Sequence, residues 1–190
     1  MTDHQDWRWK LEQAIERIRT RYEHIGRKTG APFLAVVYPP DAERQVLREW
    51  RTLVGSLGPE FEVTRVDVLE VTSDVVGGLG VETVVHSLED AMPGSDPHSE
   101  LGGMWARAVA DRIREAVNAV SAGRPVVYLE RLAALYPAAT PRAVMQMLWD
   151  TSGPALNGPV VILIPGILVE PRVYSFVGKV QELMYRGDIL

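Results

Sequence analysis

The chain has 190 residues, 46% apolar and 24% charged, with a net charge of -5 and an isoelectric point near 5.4. That length suits one α/β-sized domain over residues 1–190, and the composition is globular rather than disordered. The lack of cysteine excludes disulfide scaffolds, cysteine zinc sites and cysteine nucleophiles, while the acidic balance gives no global attraction for nucleic acid or anionic lipid. The polar start, MTDHQDWRWK, is not a signal peptide, and the longest apolar run, Val160 to Ile164, falls far short of the roughly 20 residues of a membrane span. A cytoplasmic protein without a membrane segment is expected.

Residues 7–25 predict an amphipathic helix. Trp7, Leu11, Ile15, Ile18, Tyr22 and Ile25 recur at steps of three and four and share one face, with Asp3 or Asp6 as cap and Gly26, Gly30 and Pro32 closing it. Phe33 to Tyr38 is a continuous apolar run, the pattern of a strand buried on both faces of a parallel sheet. Pro39-Pro40 stops it, and Asp41 is expected to cap a second helix with Val46, Trp50, Leu53, Val54 and Leu57 inward. Phe61 to Val68 alternates, which predicts a strand nearer an edge. Residues 74–90 read as a helix weakened by Gly77, Gly78 and Gly80, and residues 91–103 as a long mobile or functional loop.

A helix is expected from Leu101 to Ala122, with Trp105, Val109, Ile113, Ala116, Val117 and Val120 on its inner face. Val126 to Leu129 is a buried strand ending at Glu130. Thr140 caps a further helix that has Pro141 at its first position and Val144, Met145, Leu148 and Trp149 inward. Val160 to Ile164 is the strongest strand, and a short helix over Phe176 to Tyr185 is expected to finish the chain. Strands alternating with helices imply an α/β fold: a single three-layer domain, its parallel sheet covered by helices on both faces.

Open α/β sheets bind ligands past the carboxyl ends of their strands. The residues there are Pro39 to Asp41, Glu70 to Asp74, Glu130 with Arg131, and Pro165 with Gly166. A phosphate loop needs free backbone N–H groups and a reaching lysine, whereas Pro39 and Pro40 remove donors and Asp41 and Glu43 repel phosphate. Gly178-Lys179 lacks the leading glycine and the hydroxyl residue, and no Gly-x-Gly-x-x-Gly is present.

Glu130 ends an apolar strand, where nucleotide hydrolases place an acid for magnesium and water. The plainer reading of Glu130 and Arg131 is an ion pair or a solvated strand end. Asp41, Glu130 and Arg131 are the candidates for a degenerate ligand site. His86 and His98, near Glu89, Asp90, Asp96 and Glu100, have metal-ligating chemistry but not a His-Glu-x-x-His spacing, so a solvated loop is the simpler reading. Gly55-Ser56-Leu57-Gly58 is not a nucleophile elbow. Arg17, Arg19, Arg21, Arg27 and Lys28 make one side of the first helix basic, but Glu12, Glu16 and Glu23 are interleaved, which suits a solvated face better than a DNA contact. No catalytic residue, metal ligand or cofactor is assigned. Trp9, off the inner stripe, and the aromatic residues Tyr174, Phe176 and Tyr185 are the candidate partner anchors.

Arg124 to Pro137, RPVVYLERLAALYP, resembles the apolar strand followed by a Leu-Tyr-Pro or Leu-Phe-Pro turn of BrxB-like proteins, components of the bacterial BREX phage-exclusion systems. Pro159 to Gly166 followed by Tyr174-Ser175-Phe176 is similar to that family's strand–Pro–Gly ending, and Tyr185 to Leu190 to its close. The resemblance implies a P-loop-NTPase-like or Rossmann-like core lacking the phosphate-binding loop, with Glu130 a relic of an acidic strand end. It implies a non-catalytic accessory or adaptor protein acting through protein–protein interaction. The implied partners are a PglZ-like protein, a BrxC-like ATPase and the methyltransferase, with a homo-oligomer also open and no direct DNA contact required. The alternative is an atypical nucleotide-responsive enzyme or switch working near Glu130.

Overall fold

A computed structural model describes residues 6–25, 31–152, 156–183 and 187–190. Helix α1 spans Asp6–Arg21 and passes through a 3₁₀ turn, Tyr22–His24, toward strand β1, Phe33–Tyr38. All six β1 residues are buried, as a strand covered on both sides requires. A 3₁₀ turn over Pro40–Ala42 leads into α2, Glu43–Val54. Asp41 does not cap α2: Ala42 holds that position and no side chain serves it, because the 3₁₀ turn places Asp41 one residue too early.

Strand β2, Phe61–Asp67, runs directly into α3, Val68–Leu79. The helix expected over 74–90 is therefore two helices. The break falls at Gly80, whose φ of 87° lies outside the helical range, and α4 covers Val81–Glu89. The long loop expected over 91–103 is shorter than its composition suggested. Asp96 accepts a hydrogen bond from the Ser99 N–H at 3.0 Å, Pro97 takes the first helical position, and α5 runs over Pro97–Ala119. Leu101, Trp105, Val109, Ile113 and Val117 repeat every four residues and are all buried.

Strand β3, Arg124–Glu130, is followed by a 3₁₀ turn, Leu132–Leu135, and by α6, Pro141–Ser152. The Thr140 hydroxyl accepts from the Ala143 N–H at 3.2 Å, the expected cap. Strand β4 is Val160–Pro165. The helix expected at the end does not form. Strands β5, Ile167–Glu170, β6, Val173–Phe176, and β7, Lys179–Glu182, make an antiparallel sheet, and β8, Gly187–Ile189, closes the description. Tyr174 and Phe176 point inward with the period of two that a strand imposes, and Val177-Gly178, both at positive φ, turn the chain between β6 and β7.

The main sheet has five parallel strands in the order β2-β3-β4-β1-β8, with β2 at one edge as its alternating pattern suggested. Helices α1 and α2 cover one face, where Leu11, Ile18, Val46 and Trp50 pack on Leu34, Val36, Tyr38, Val126 and Tyr128. On the other face, α3, α5, α6 and the small sheet pack on Phe33, Ala35, Val37, Val127, Leu129 and Ile162. The molecule is thus a three-layer α/β fold around one parallel sheet. Among the described residues, no helix is long and apolar enough to cross a membrane.

Candidate functional site

Neighbouring strands β1 and β4 send the chain in opposite directions, β1 to the far edge at β2 and β4 past β1 to β8. Such a switch point opens the usual ligand crevice of an α/β sheet. Here it is closed. The Gly166 N–H donates to the Tyr38 carbonyl at 2.8 Å, tying the link between β4 and β5 to the end of β1. A Cβ on Gly166 would lie 2.4 Å from the Ser175 carbonyl oxygen, so the β5–β6 hairpin fills the space and only glycine fits there. Tyr38 is fully buried, and its hydroxyl donates to Glu43 at 3.3 Å. Burial, reinforced by Glu43, pushes this phenol far above its ordinary range.

The charged chemistry lies two strands away. Asp67 and Glu130 are the last residues of β2 and β3, and strand register sets them side by side. Both point to the α2 face, and both are buried, at 4% and 0% exposure. A buried carboxylate requires partners. Arg51 of α2 reaches Glu130 with both arms of its guanidinium, Nε donating to Oε2 at 3.2 Å and Nη2 to Oε1 at 2.7 Å. Arg65 of β2 donates from Nη1 to the same Oε1 at 3.2 Å and lies 3.9 Å from Asp67 and 3.5 Å from Glu70.

Arg131, held at φ 58°, donates through Nε to Asp67 Oδ1 at 2.7 Å, through Nη2 to Oδ2, and to Glu70 at 3.4 Å. Asp67 also caps α3, accepting from the N–H groups of Leu69 and Glu70 at 3.1 and 3.4 Å. The hydrogen bonds to Glu130 and Asp67 raise Arg51 and Arg131 above their already high range, so both stay charged. Beside them, burial raises the Tyr128 phenol, and Glu130 adds to the effect.

The arrangement has three guanidiniums and three carboxylates. Every buried acid oxygen that a magnesium ion or an attacking water would need is already taken by arginine. The cluster fastens α2 to the carboxyl ends of β2 and β3, and its one exposed acid, Glu70, is touched by arginine only through Oε1.

Of the residues singled out by sequence, Glu130 and Arg131 meet in this cluster, although Arg131 bonds Asp67 rather than Glu130. Asp41 is exposed on its 3₁₀ turn and makes no ion pair or hydrogen bond with the cluster. Tyr174 and Phe176 are corrected from partner anchors to core residues, since both have 0% exposure on the inner face of the small sheet. Tyr185 lies outside the described residues. Trp9 is 53% exposed on the outer side of α1. Arg19 is occupied by Ser56 at 2.7 Å and Arg17 lies 3.8 Å from Asp188, so the basic side of α1 is partly engaged within the chain; Arg27 and Lys28 lie outside the described residues. Among the described residues, no three His, Asp or Glu side chains are placed to share a metal ion.

Sequence reasoning missed Arg51, Arg65 and Asp67. The available signal was the alternation of β2, which puts Arg65 and Asp67 on the same face. No family model, curated protein or solved structure matches the chain.

Proposed function

We propose that this chain is a non-catalytic adaptor that works by binding other proteins. The observation that carries this reading is Glu130, a fully buried strand-end acid whose two oxygens are held by Arg51 and Arg65. Such a group braces the fold instead of activating water. The closed crevice beneath the β5–β6 hairpin supports the same reading, because the place where α/β proteins hold small ligands is filled by the chain itself.

The resemblance of residues 124–137 and 159–176 to BrxB-like proteins directs the search for partners. On it, the chain is an accessory protein of a bacterial BREX anti-phage complex in the cytoplasm, beside a PglZ-like protein, a BrxC-like ATPase and the methyltransferase. The core is then a P-loop-like sheet without its phosphate loop. A Rossmann-like core is the weaker match, since the order β2-β3-β4-β1-β8 differs from both common doubly wound orders. Affinity capture of the tagged protein from its native host, read by mass spectrometry, tests the proposal. Recovery of a PglZ-like protein or a BREX ATPase is expected, and a partnerless preparation would sink it.

The competing nucleotide-responsive switch requires Arg51 and Arg65 to release Glu130. A nucleotide- or magnesium-dependent melting shift that vanishes in Glu130→Ala would favour that switch over the adaptor.

A further inference from the structure

The outer face of α2 carries Arg44, Arg48 and Arg51 on successive turns, around a shallow depression completed by Leu47 and Thr52. Arg51 is engaged by Glu130. Arg44 and Arg48 are exposed, and their side chains make no ion pair or hydrogen bond among the described residues. Like charges one turn apart repel, so two unpaired guanidiniums beside a third disfavour the helix unless something neutralises them. The acids near them in sequence do not: Glu43 accepts from Tyr38, Glu49 sits on the half-buried flank of α2, and Asp41 makes no ion pair with them among the described residues. On a chain of net charge -5 this is a localised basic face.

The chemistry of the depression selects its ligand. A nucleotide phosphate needs free backbone N–H groups, and the middle of a helix has none to offer. Single-stranded nucleic acid needs aromatic faces on which bases stack, and no aromatic side chain lines the depression. A row of guanidinium forks pairs bidentately with carboxylates as with phosphates, and without helix-end N–H groups or aromatic faces beside it this row suits the carboxylates of a peptide. The rise from Arg44 to Arg48 is about 6 Å, close to the roughly 6.6 Å between alternate residues of an extended chain.

We infer that the Arg44–Arg48–Arg51 face of α2 docks an extended acidic segment of a protein partner, whose alternate Asp or Glu side chains pair with Arg44 and Arg48. This rests on the adaptor reading and names the surface that reading lacks. Arg51, fixed by Glu130, holds the end of the row in place, so the buried cluster positions the docking face.

The test is fluorescence anisotropy with a labelled peptide bearing glutamate at alternate positions, beside a labelled single-stranded oligonucleotide of equal charge. The expected result is saturable peptide binding that weakens as salt rises and that falls about ten-fold or more in the doubly reversed variant Arg44→Glu/Arg48→Glu. The variant's melting temperature should be at or slightly above the wild-type value, since both side chains are exposed and the reversal removes their repulsion. No saturable peptide binding, equal binding by the variant, or tighter binding of the oligonucleotide would overturn the inference. Capture from the native host separates the two claims. A partner recovered by the wild type and lost by the variant supports the docking face. The same partner recovered by both overturns the face and leaves the adaptor reading intact. A wild type that recovers nothing overturns the adaptor reading, and the peptide titration alone then decides the face.

Discussion

Arg51 and Glu130 are 79 residues apart in the chain and meet through two hydrogen bonds, 3.2 and 2.7 Å long, on a carboxylate with no solvent exposure. The two partners are unequal. Arg51 is half exposed and can turn to water if released, while Glu130 cannot. Removing one member of a buried pair typically costs about 3–5 kcal/mol because the other charge stays buried. Arg65 remains 3.2 Å from Glu130, so Arg51→Ala should lower the unfolding free energy by about 2–3 kcal/mol, below that range. Glu130→Gln removes the buried charge but turns one acceptor into an amide donor facing the Arg51 guanidinium, and should cost about 1–2 kcal/mol. Urea unfolding of both variants checks the order. A Glu130→Gln protein less stable than Arg51→Ala would mean that the arginines, not the acid, are the groups left stranded.

Arg131 tests the same cluster through the backbone. Its φ of 58° is left-handed, a conformation that costs a residue with a Cβ about 1–2 kcal/mol relative to glycine. Arg131→Ala loses the bonds to Asp67 and Glu70 and keeps the strain. Arg131→Gly loses the same bonds and relieves it. The glycine variant should be the more stable of the two by about 1 kcal/mol in denaturant unfolding. Equal stabilities would show that the left-handed backbone carries no cost at this position.

These contacts mark where the sequence became hard to read. Strands β1 and β4 were legible because unbroken apolar runs suit strands buried on both faces, and α6 because Thr140 and Pro141 are a local start signal. Glu130 was visible as an acid at a strand end. Its partner was not, since Arg51 sits on a helix that crosses from β1 to the far edge of the sheet, a connection no local pattern reveals. Tyr174 and Phe176 were misread for another reason. Their spacing of two is that of a strand, but glycine and charged residues after Phe176 masked the hairpin, and aromatic side chains destined for the core resembled surface anchors. Burial depends on what packs above a strand, which a short segment does not encode.

Alkaline pH probes the buried phenols. Burial raises Tyr22 from 10.0 to about 12, with Glu23 adding and Arg124 opposing, and raises Tyr38, Tyr128 and Tyr174 as well. A group with a raised folded pKa contributes stability that is fully present below its unfolded value and is lost as pH rises through the folded one. The unfolded phenol titrates near 10, so stability should be flat below about pH 9 and fall steeply above about pH 10. Tyrosinate absorbance should appear together with unfolding rather than before it. Tyr38→Phe, which removes the most strongly raised group, should flatten the alkaline limb of the denaturant midpoint against pH. An unchanged limb would mean that Tyr38 is not the group that resists ionisation.

The β6–β7 turn, next to the β5–β6 hairpin that closes the ligand crevice, carries its own strain. Phe176 pairs with Lys179, which leaves Val177 and Gly178 as a two-residue turn with φ values of 46° and 79°. Positive φ at both positions is the I′ type, whose preferred sequence is Asn-Gly. Gly178 fits, but Val177 is β-branched, is largely exposed, and gains little burial in return. Val177→Asn should therefore stabilise the protein by about 1 kcal/mol and raise the melting temperature by about 3 °C. Gly178→Ala, which puts a Cβ at a positive φ, should lower it by a similar amount. If Val177→Asn lowers the melting temperature instead, the turn is not of this type. The β6–β7 register that buries Tyr174 and Phe176 would then have to be redrawn, and with it the closure of the crevice at Gly166.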